Sequence, residues 1–229
     1  MKTLAHSVAH DAVADDAVAA DALANNEVAA SGLADGGVVV LDAWLGSGPA
    51  MALRAEVVLL LDEPHSAHVR EAGMGGLGDH VVSRATRRDR VCWFDARGIA
   101  GRTPGVEVTR FLRRLDGLVL HLNRTCFLGI ERVECHAACF DAGAFYGEHL
   151  DTLRHDDRRM LSYCYYLNDA WTEAAGGCLR MAGSPPRDVA PLLDRLVVFR
   201  SDTVRHEVLP TMERRFSLTG WLSRAPAAP

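Results

Sequence analysis

His149-Leu150-Asp151 sets an imidazole and a carboxylate two positions apart. In an extended segment both side chains project to the same side and can share one metal ion. The spacing recurs at His155-Asp156-Asp157, so context has to separate the two. His149 follows an alternating segment that ends near Phe140 and the aromatic pair Phe145-Tyr146. His155 lies in Arg154-His155-Asp156-Asp157-Arg158-Arg159, which reads as a solvated charged turn. A facial triad needs a third ligand from a distant strand and keeps other coordination positions open. His206, placed at the end of an expected strand from Leu196 to Ser201, is the best third ligand. Arg215 then opens the alternating face Arg215, Ser217, Thr219, Trp221. An inward arginine in a barrel suits a carboxylate, through charge-assisted hydrogen bonds of ~1.5–3 kcal/mol each. The competing reading is an arginine that merely pairs with a buried Asp or Glu. Cys135, His136 and Cys139 could pass for a zinc half-site, but no second pair of ligands has matching spacing.

These residues need elements to bring them together. Beyond Ile130 the hydrophobic period is two: Val133/Cys135/Ala137/Cys139, Leu161/Tyr163/Tyr165/Leu167 and Phe216/Leu218/Gly220/Leu222 each alternate with a second set, as strands do. Shorter strands are expected at Val38 to Leu41, Val91 to Phe94, Cys178 to Met181 and Leu196 to Phe199, with turns at Asn168-Asp169, Gly176-Gly177 and Gly183-Ser184-Pro185-Pro186. Upstream, Ser47-Gly48-Pro49, with Ser47 as N-cap, opens a helix with Leu53, Val57 and Leu60 on one face. Phe111, Leu115, Leu118 and Leu122 mark a second helix, and Gly73 to Asp79 and Arg97 to Gly105 read as loops. Helices followed by short strands give an α+β fold with an antiparallel sandwich or barrel, whose open end can hold a small ligand. Residues 1–36 are Ala-rich, with a branched residue every five positions from Val8 to Leu33. That period fits neither helix nor strand, and the segment is expected to be a partly helical or disordered arm whose last part, near Ala20 to Leu33, docks onto the domain. The domain spans 37–224, and 225–229 form a disordered tail.

Composition bounds the function. The chain has 229 residues, 48% hydrophobic and 24% charged, which excludes a collagen, a disordered protein or a membrane protein. Lys plus Arg 25 against Asp plus Glu 30 gives a net charge of −5, which supplies no field for nucleic acid or an anionic lipid surface. Neither kind of partner is expected. The apolar run Val57 to Leu61 is too short to span a membrane. The N-terminus, broken by His6, His10, Asp11, Asp15 and Asp16, is not a secretory signal. Six irregularly spaced cysteines read as reduced, buried thiols of a cytoplasmic protein.

The pieces also occur in a recognisable order. They are Glu134-x5-Phe140-x4-Phe145-Tyr146-x2-His149-x-Asp151, Tyr165-Tyr166-Leu167-Asn168-x2-Trp171, Gly176-Gly177-x-Leu179-Arg180, Asp194-Arg195-Leu196, Ser201-Asp202, His206-Glu207-Val208 and Arg215-x5-Trp221. Arg87-Arg88-Asp89-x3-Trp93 adds a further match, with Arg88 in place of a glycine. From Gly37 to about Ser223 the sequence resembles the iron- and 2-oxoglutarate-dependent dioxygenases of the prolyl 4-hydroxylase type, especially the smaller relatives of the hypoxia-sensing prolyl hydroxylases. The resemblance implies a double-stranded β-helix, the jelly-roll or cupin-like barrel, with supporting N-terminal helices. It implies His149, Asp151 and His206 as Fe(II) ligands, Arg215 and Tyr166 on the distal carboxylate of 2-oxoglutarate, and Leu179 and Trp221 as pocket walls. Phe140 stands where relatives often carry Tyr. Arg159 matches a position near the substrate entrance, with Asp89 as its expected pairing partner, and Arg97 to Val108 falls where relatives have a mobile substrate-covering segment.

The implied reaction is hydroxylation of an unactivated C–H bond with O2 and 2-oxoglutarate as co-substrates, succinate and CO2 as co-products, and ascorbate keeping the iron reduced. A prolyl residue in a protein or peptide is the first substrate reading, and a free amino acid or small metabolite the second. A non-catalytic module that binds 2-oxoglutarate or iron is the rival from another class. A zinc hydrolase on the same three ligands is disfavoured, because it leaves Arg215 unexplained and shows no nearby general base.

Overall fold

Alternation gives each long strand one apolar face, yet β-strand residues at His136–Phe140, Leu161–Tyr166 and Arg215–Leu218 are buried on both faces, so the sheet they form is covered on both sides. The computed structural model describes residues 24–34, 37–63, 66–73, 83–94, 101–152 and 158–225. Helix α1 spans residues 24–34, α2 Ser47–Leu61 and α3 Val106–Thr125. The strands are β1 (Val38–Leu41), β2 (Val69–Glu71), β3 (Asp89–Trp93), β4 (Arg132–Val133), β5 (His136–Phe140), β6 (Tyr146–His149), β7 (Arg159–Tyr166), β8 (Leu179–Met181), β9 (Arg187–Val189), β10 (Leu196–Arg200), β11 (His206–Val208) and β12 (Arg215–Ser223).

Eight strands form a large antiparallel sheet in the order β1-β10-β7-β12-β5-β3-β2, with β4 added beside β12; the other four form a small sheet, β6-β11-β8-β9. The two faces of the large sheet belong to different cores. Leu161, Tyr163 and Tyr165 of β7 and Phe216, Leu218 and Leu222 of β12 pack with Leu53 and Val57 of α2 and Phe111, Leu115 and Leu118 of α3. Cys164 and Tyr166 of β7, Ala138 and Phe140 of β5 and Phe199 of β10 pack instead against Leu179, Met181 and Val208 of the small sheet. The small sheet thus covers the second face, which makes the two sheets a jelly-roll barrel with helices supporting one side.

Local chemistry explains several joints. Gly220 lies in β12 where an added Cβ would come within 1.8 Å of the Glu134 carbonyl oxygen, so no larger residue fits. That oxygen accepts the Tyr163 hydroxyl at 2.8 Å. The N-terminus of α3 has no side-chain cap of its own. Glu56 of α2 accepts the Glu107 and Val108 amides instead, at 2.8 and 3.3 Å, satisfying donors that a helix start leaves open.

Some expectations are corrected. Ser47 is the first helical residue and Gly46 the N-cap, at φ 93°. His206 does not end the Leu196 strand: β10 stops at Arg200, and the turn that follows carries the chain into the small sheet, where His206 starts β11. Val106 to Val108, expected in the covering loop, form the first turn of α3. Cys126 and Cys178 are only half-buried, although all six cysteines are free. Ala29 and Leu33 of α1 are buried in the helix-side core. Residues 1–23, residues 74–79 of the first glycine loop and 97–100 of the second, His155-Asp156-Asp157 and residues 226–229 lie outside the described residues. No helix among those described is long and apolar enough to cross a membrane.

Candidate metal centre and carboxylate pocket

β6 ends on His149 and β11 begins on His206, and the two pair directly across the small sheet. Asp151 follows two residues after β6. Ligand atoms of the three side chains lie within 4.8 Å of one another, and among the described residues no other group of three could hold a metal ion. His149 Nε2 is 3.4 Å from Asp151 Oδ1, and His206 Nε2 is 3.6 Å from Asp151 Oδ2. The other ring nitrogens are engaged: His149 Nδ1 donates to the Gly147 carbonyl at 2.8 Å and His206 Nδ1 to the Val204 carbonyl at 3.1 Å. A carbonyl only accepts, so each Nδ1 carries the proton and each Nε2 offers its lone pair to the common centre.

Aromatic faces hold both rings. Tyr146 stacks on His149 at 3.7 Å between centroids, with the Arg87 guanidinium 4.2 Å above the tyrosine. Phe199 meets His206 edge-on at 4.6 Å. Burial opposes a charge on Asp151, but the His149 contact, the fields of both histidines and the Ser162 hydroxyl outweigh it, holding the carboxyl well below its ordinary range. Burial lowers His206, with Asp151 pulling the other way. Metal binding requires both imidazoles in the neutral form, and two neutral imidazoles with one carboxylate are a donor set suited to a divalent iron with positions left open.

Along the same barrel interior lies a second polar group. Arg215, the first residue of β12, is 3% exposed, and its Nε donates to the Gly177 carbonyl at 2.9 Å. Its guanidinium sits 5.0 Å from the Phe140 ring and 4.9 Å from the Tyr166 ring. Among the described residues no carboxylate forms an ion pair with Arg215, which removes the competing reading there. The Tyr166 hydroxyl beside it is buried and without a partner, and burial pushes that phenol well above its ordinary range. A buried cation and an orphan hydroxyl in one pocket fit the carboxylate end of a small acid. Gly177, at φ +69°, has no room for a Cβ, which would stand 2.9 Å from Arg215 Cδ. Leu179, 1% exposed, packs in the cluster that contains Phe140 and Tyr166.

Trp221 is half-buried and forms an aromatic wall with Trp93, 5.9 Å away, and His136, 5.7 Å away. Arg159 lies 3.5 Å over the Trp221 ring. The expected Asp89–Arg159 pair is not formed. Asp89 takes both ends of the Arg87 fork, at 2.7 and 2.6 Å, because two residues apart on an extended strand they face the same side. Arg159 instead reaches Glu134 and the Asp151 carbonyl, each at 3.2 Å. Sequence reasoning gave no role to Arg87, Ser162, Ser201 or Phe199. Arg87 and Ser201 had a usable signal, in the Arg87-Arg88-Asp89 and Ser201-Asp202 matches.

Comparison with known proteins agrees with this geometry. The sequence model of the 2OG-Fe(II) oxygenase superfamily matches residues 135–223. A mouse prolyl hydroxylase, EGLN3, is 32% identical over 166 residues, covering 69% of this chain and 67% of the relative. The structure of a Pseudomonas putida prolyl-4-hydroxylase superposes with a TM-score of 0.74 at 38% identity, covering 87% of this chain and 98% of that one. A Trichoplax adhaerens prolyl hydroxylase, solved with a hypoxia inducible factor oxygen degradation domain peptide fragment, gives 0.73 at 26% identity, covering 86% and 88%. The chain belongs to the 2OG-Fe(II) oxygenase superfamily, as an enzyme of the prolyl hydroxylase type. The cofactor of that superfamily is Fe(II), and its co-substrates are 2-oxoglutarate and O2.

Proposed function

We propose that the chain hydroxylates a prolyl residue in a protein or peptide, with Fe(II) held by His149, Asp151 and His206. The observation that carries this is the convergence, inside one barrel, of a two-histidine, one-carboxylate group with a buried Arg215 that has no carboxylate partner among the described residues. When bound, the iron supplies the activation of O2 that couples oxidative decarboxylation of 2-oxoglutarate to C–H hydroxylation. The protein supplies binding, orientation and dryness. Arg215 takes the distal carboxylate of 2-oxoglutarate, Tyr166 donates its hydroxyl to it, and Leu179 and Phe140 keep water out. His149 and His206 present Nε2 to the metal, and Asp151 compensates its charge.

A peptide substrate is supported by the Trichoplax relative, whose solved complex holds a peptide. In this chain the half-buried Trp93 and Trp221 form an aromatic wall, capped by Arg159 over Trp221, against whose exposed edge a prolyl ring can pack. Anaerobic addition of Fe(II) and 2-oxoglutarate should give a visible charge-transfer band that His206→Ala abolishes. With O2 and a panel of proline-containing peptides, products one oxygen atom heavier are expected by mass spectrometry. No band would overturn the metal assignment. A band with products only from free amino acids would overturn the peptide reading.

A further inference from the structure

Asp151 is oriented by a relay of two serines that belongs to the opposite sheet. Ser162 of β7 donates its hydroxyl to Asp151 Oδ2 at 2.6 Å. Its own proton being committed there, Ser162 accepts from Ser201, whose Oγ is 2.8 Å away. Both serines are sealed from solvent, at 2% and 0% exposure. Strand register puts them there: Ser162 pairs with Phe199 across β7 and β10, and Ser201 is the second residue beyond Phe199. Ser201 is anchored in turn by its amide, which donates to the Met160 carbonyl at 3.2 Å.

We propose that Ser162 and Ser201 are positioning residues that orient the Asp151 carboxylate toward the two histidines. The inference rests on the reading of His149, Asp151 and His206 as the iron site. Held by Ser162 at Oδ2, the carboxylate keeps Oδ1 3.4 Å from His149 Nε2 and Oδ2 3.6 Å from His206 Nε2, so both oxygens stay aimed at the centre the histidines share. The relay also fixes the loop carrying Asp151 to the large sheet, while both histidines come from the small one.

The test uses the full chain and the metal alone. Fe(II) affinity and the visible spectrum of the Co(II)-substituted protein are measured for wild type, Ser162→Ala, Ser162→Thr and Ser201→Ala, with metal-free melting curves as a folding control. Loss of a hydrogen bond to a ligand typically lowers metal affinity ~10–100-fold. That loss is expected in Ser162→Ala, together with a changed Co(II) spectrum; Ser162→Thr should restore both, and Ser201→Ala should fall between. An unchanged affinity and spectrum in Ser162→Ala overturns the relay. So does a Ser162→Thr variant as impaired as the alanine, since packing and not the hydroxyl would then be responsible. If Asp151→Asn and His206→Ala bind metal like wild type, the iron site itself is wrong, an outcome distinct from failure of the relay alone.

Discussion

His149 and His206 stand opposite each other across β6 and β11, and each turns its Nδ1 to the carbonyl two residues before it in its own chain, Gly147 and Val204. The tautomer that exposes Nε2 is therefore set by backbone on both sides, not by a titratable neighbour. No single side-chain substitution removes either acceptor, so the two rings stay ready to bind metal as long as the strands hold.

Arg215→Lys keeps the charge and loses the fork. With ~1.5–3 kcal/mol at stake per charge-assisted hydrogen bond, the concentration of 2-oxoglutarate needed for half-saturation should rise ~10–100-fold. Titration of the charge-transfer band with 2-oxoglutarate checks this, and Fe(II) affinity should be unchanged.

Tyr166→Phe separates ligand binding from stability. The hydroxyl has no partner in the protein, so removing it should leave the melting temperature of the metal-free protein equal or slightly raised. Binding of 2-oxoglutarate should weaken ~10–100-fold, the value of one hydrogen bond to a charged carboxylate. A lower melting temperature would mean that the hydroxyl serves the fold.

Gly177→Ala strains the pocket from behind. Its φ of +69° disfavours a side chain, and the new Cβ would crowd Arg215 Cδ and Thr211. A loss of about 1–2 kcal/mol in stability is expected from the backbone alone. Displacement of Arg215 should add a rise of at least about tenfold in the half-saturating 2-oxoglutarate concentration, by the same hydrogen-bond arithmetic. Chemical denaturation and the band titration read the two effects independently.

Acid should destabilise the metal-free protein through His136. Burial, with the nearby Arg87 and Arg159 charges, depresses this histidine from 6.5 to about 3. Between those values the unfolded chain binds a proton that the folded one does not. Stability is thus fully present above pH 6.5 and falls as pH drops towards 3, by about 1.4 kcal/mol per pH unit. His136→Phe should flatten the dependence, leaving what His206, which burial also lowers, and the carboxyls held low, Asp151 among them, contribute in the same direction. A slope identical to wild type would show that His136 contributes nothing to it.

The long strands could be read because they alternate: Ser162, Cys164 and Tyr166 face the barrel interior, and Tyr163 and Tyr165 the helices. His149 and Asp151 were readable for the same reason, as a period-two pair. β9 and β11 have three residues each, too few to show a period, so of the small sheet only β8 was read as a strand. That is why His206 was assigned to the wrong strand although it was named as the third ligand beside His149 and Asp151. Ser162 left no trace, and Ser201 entered only as part of the Ser201-Asp202 match with no role, because serine is common on any face and only tertiary placement sets their hydroxyls in line with a carboxylate. The expected Asp89–Arg159 pairing failed because Arg87 takes Asp89, and Glu134, the partner of Arg159, lies 25 residues upstream in a segment between β4 and β5.

The division of labour between the sheets gives the molecule two separable kinds of rigidity. The helices brace the large sheet, which owns the larger hydrophobic core, whereas both ligand histidines sit on the four short strands of the small sheet. A bound ion would act as a clasp across β6 and β11 and, through the Asp151 loop, onto the large sheet. Chelation should then loosen the small sheet selectively, seen as faster amide exchange at β6 and β11 while β7 and β12 stay protected.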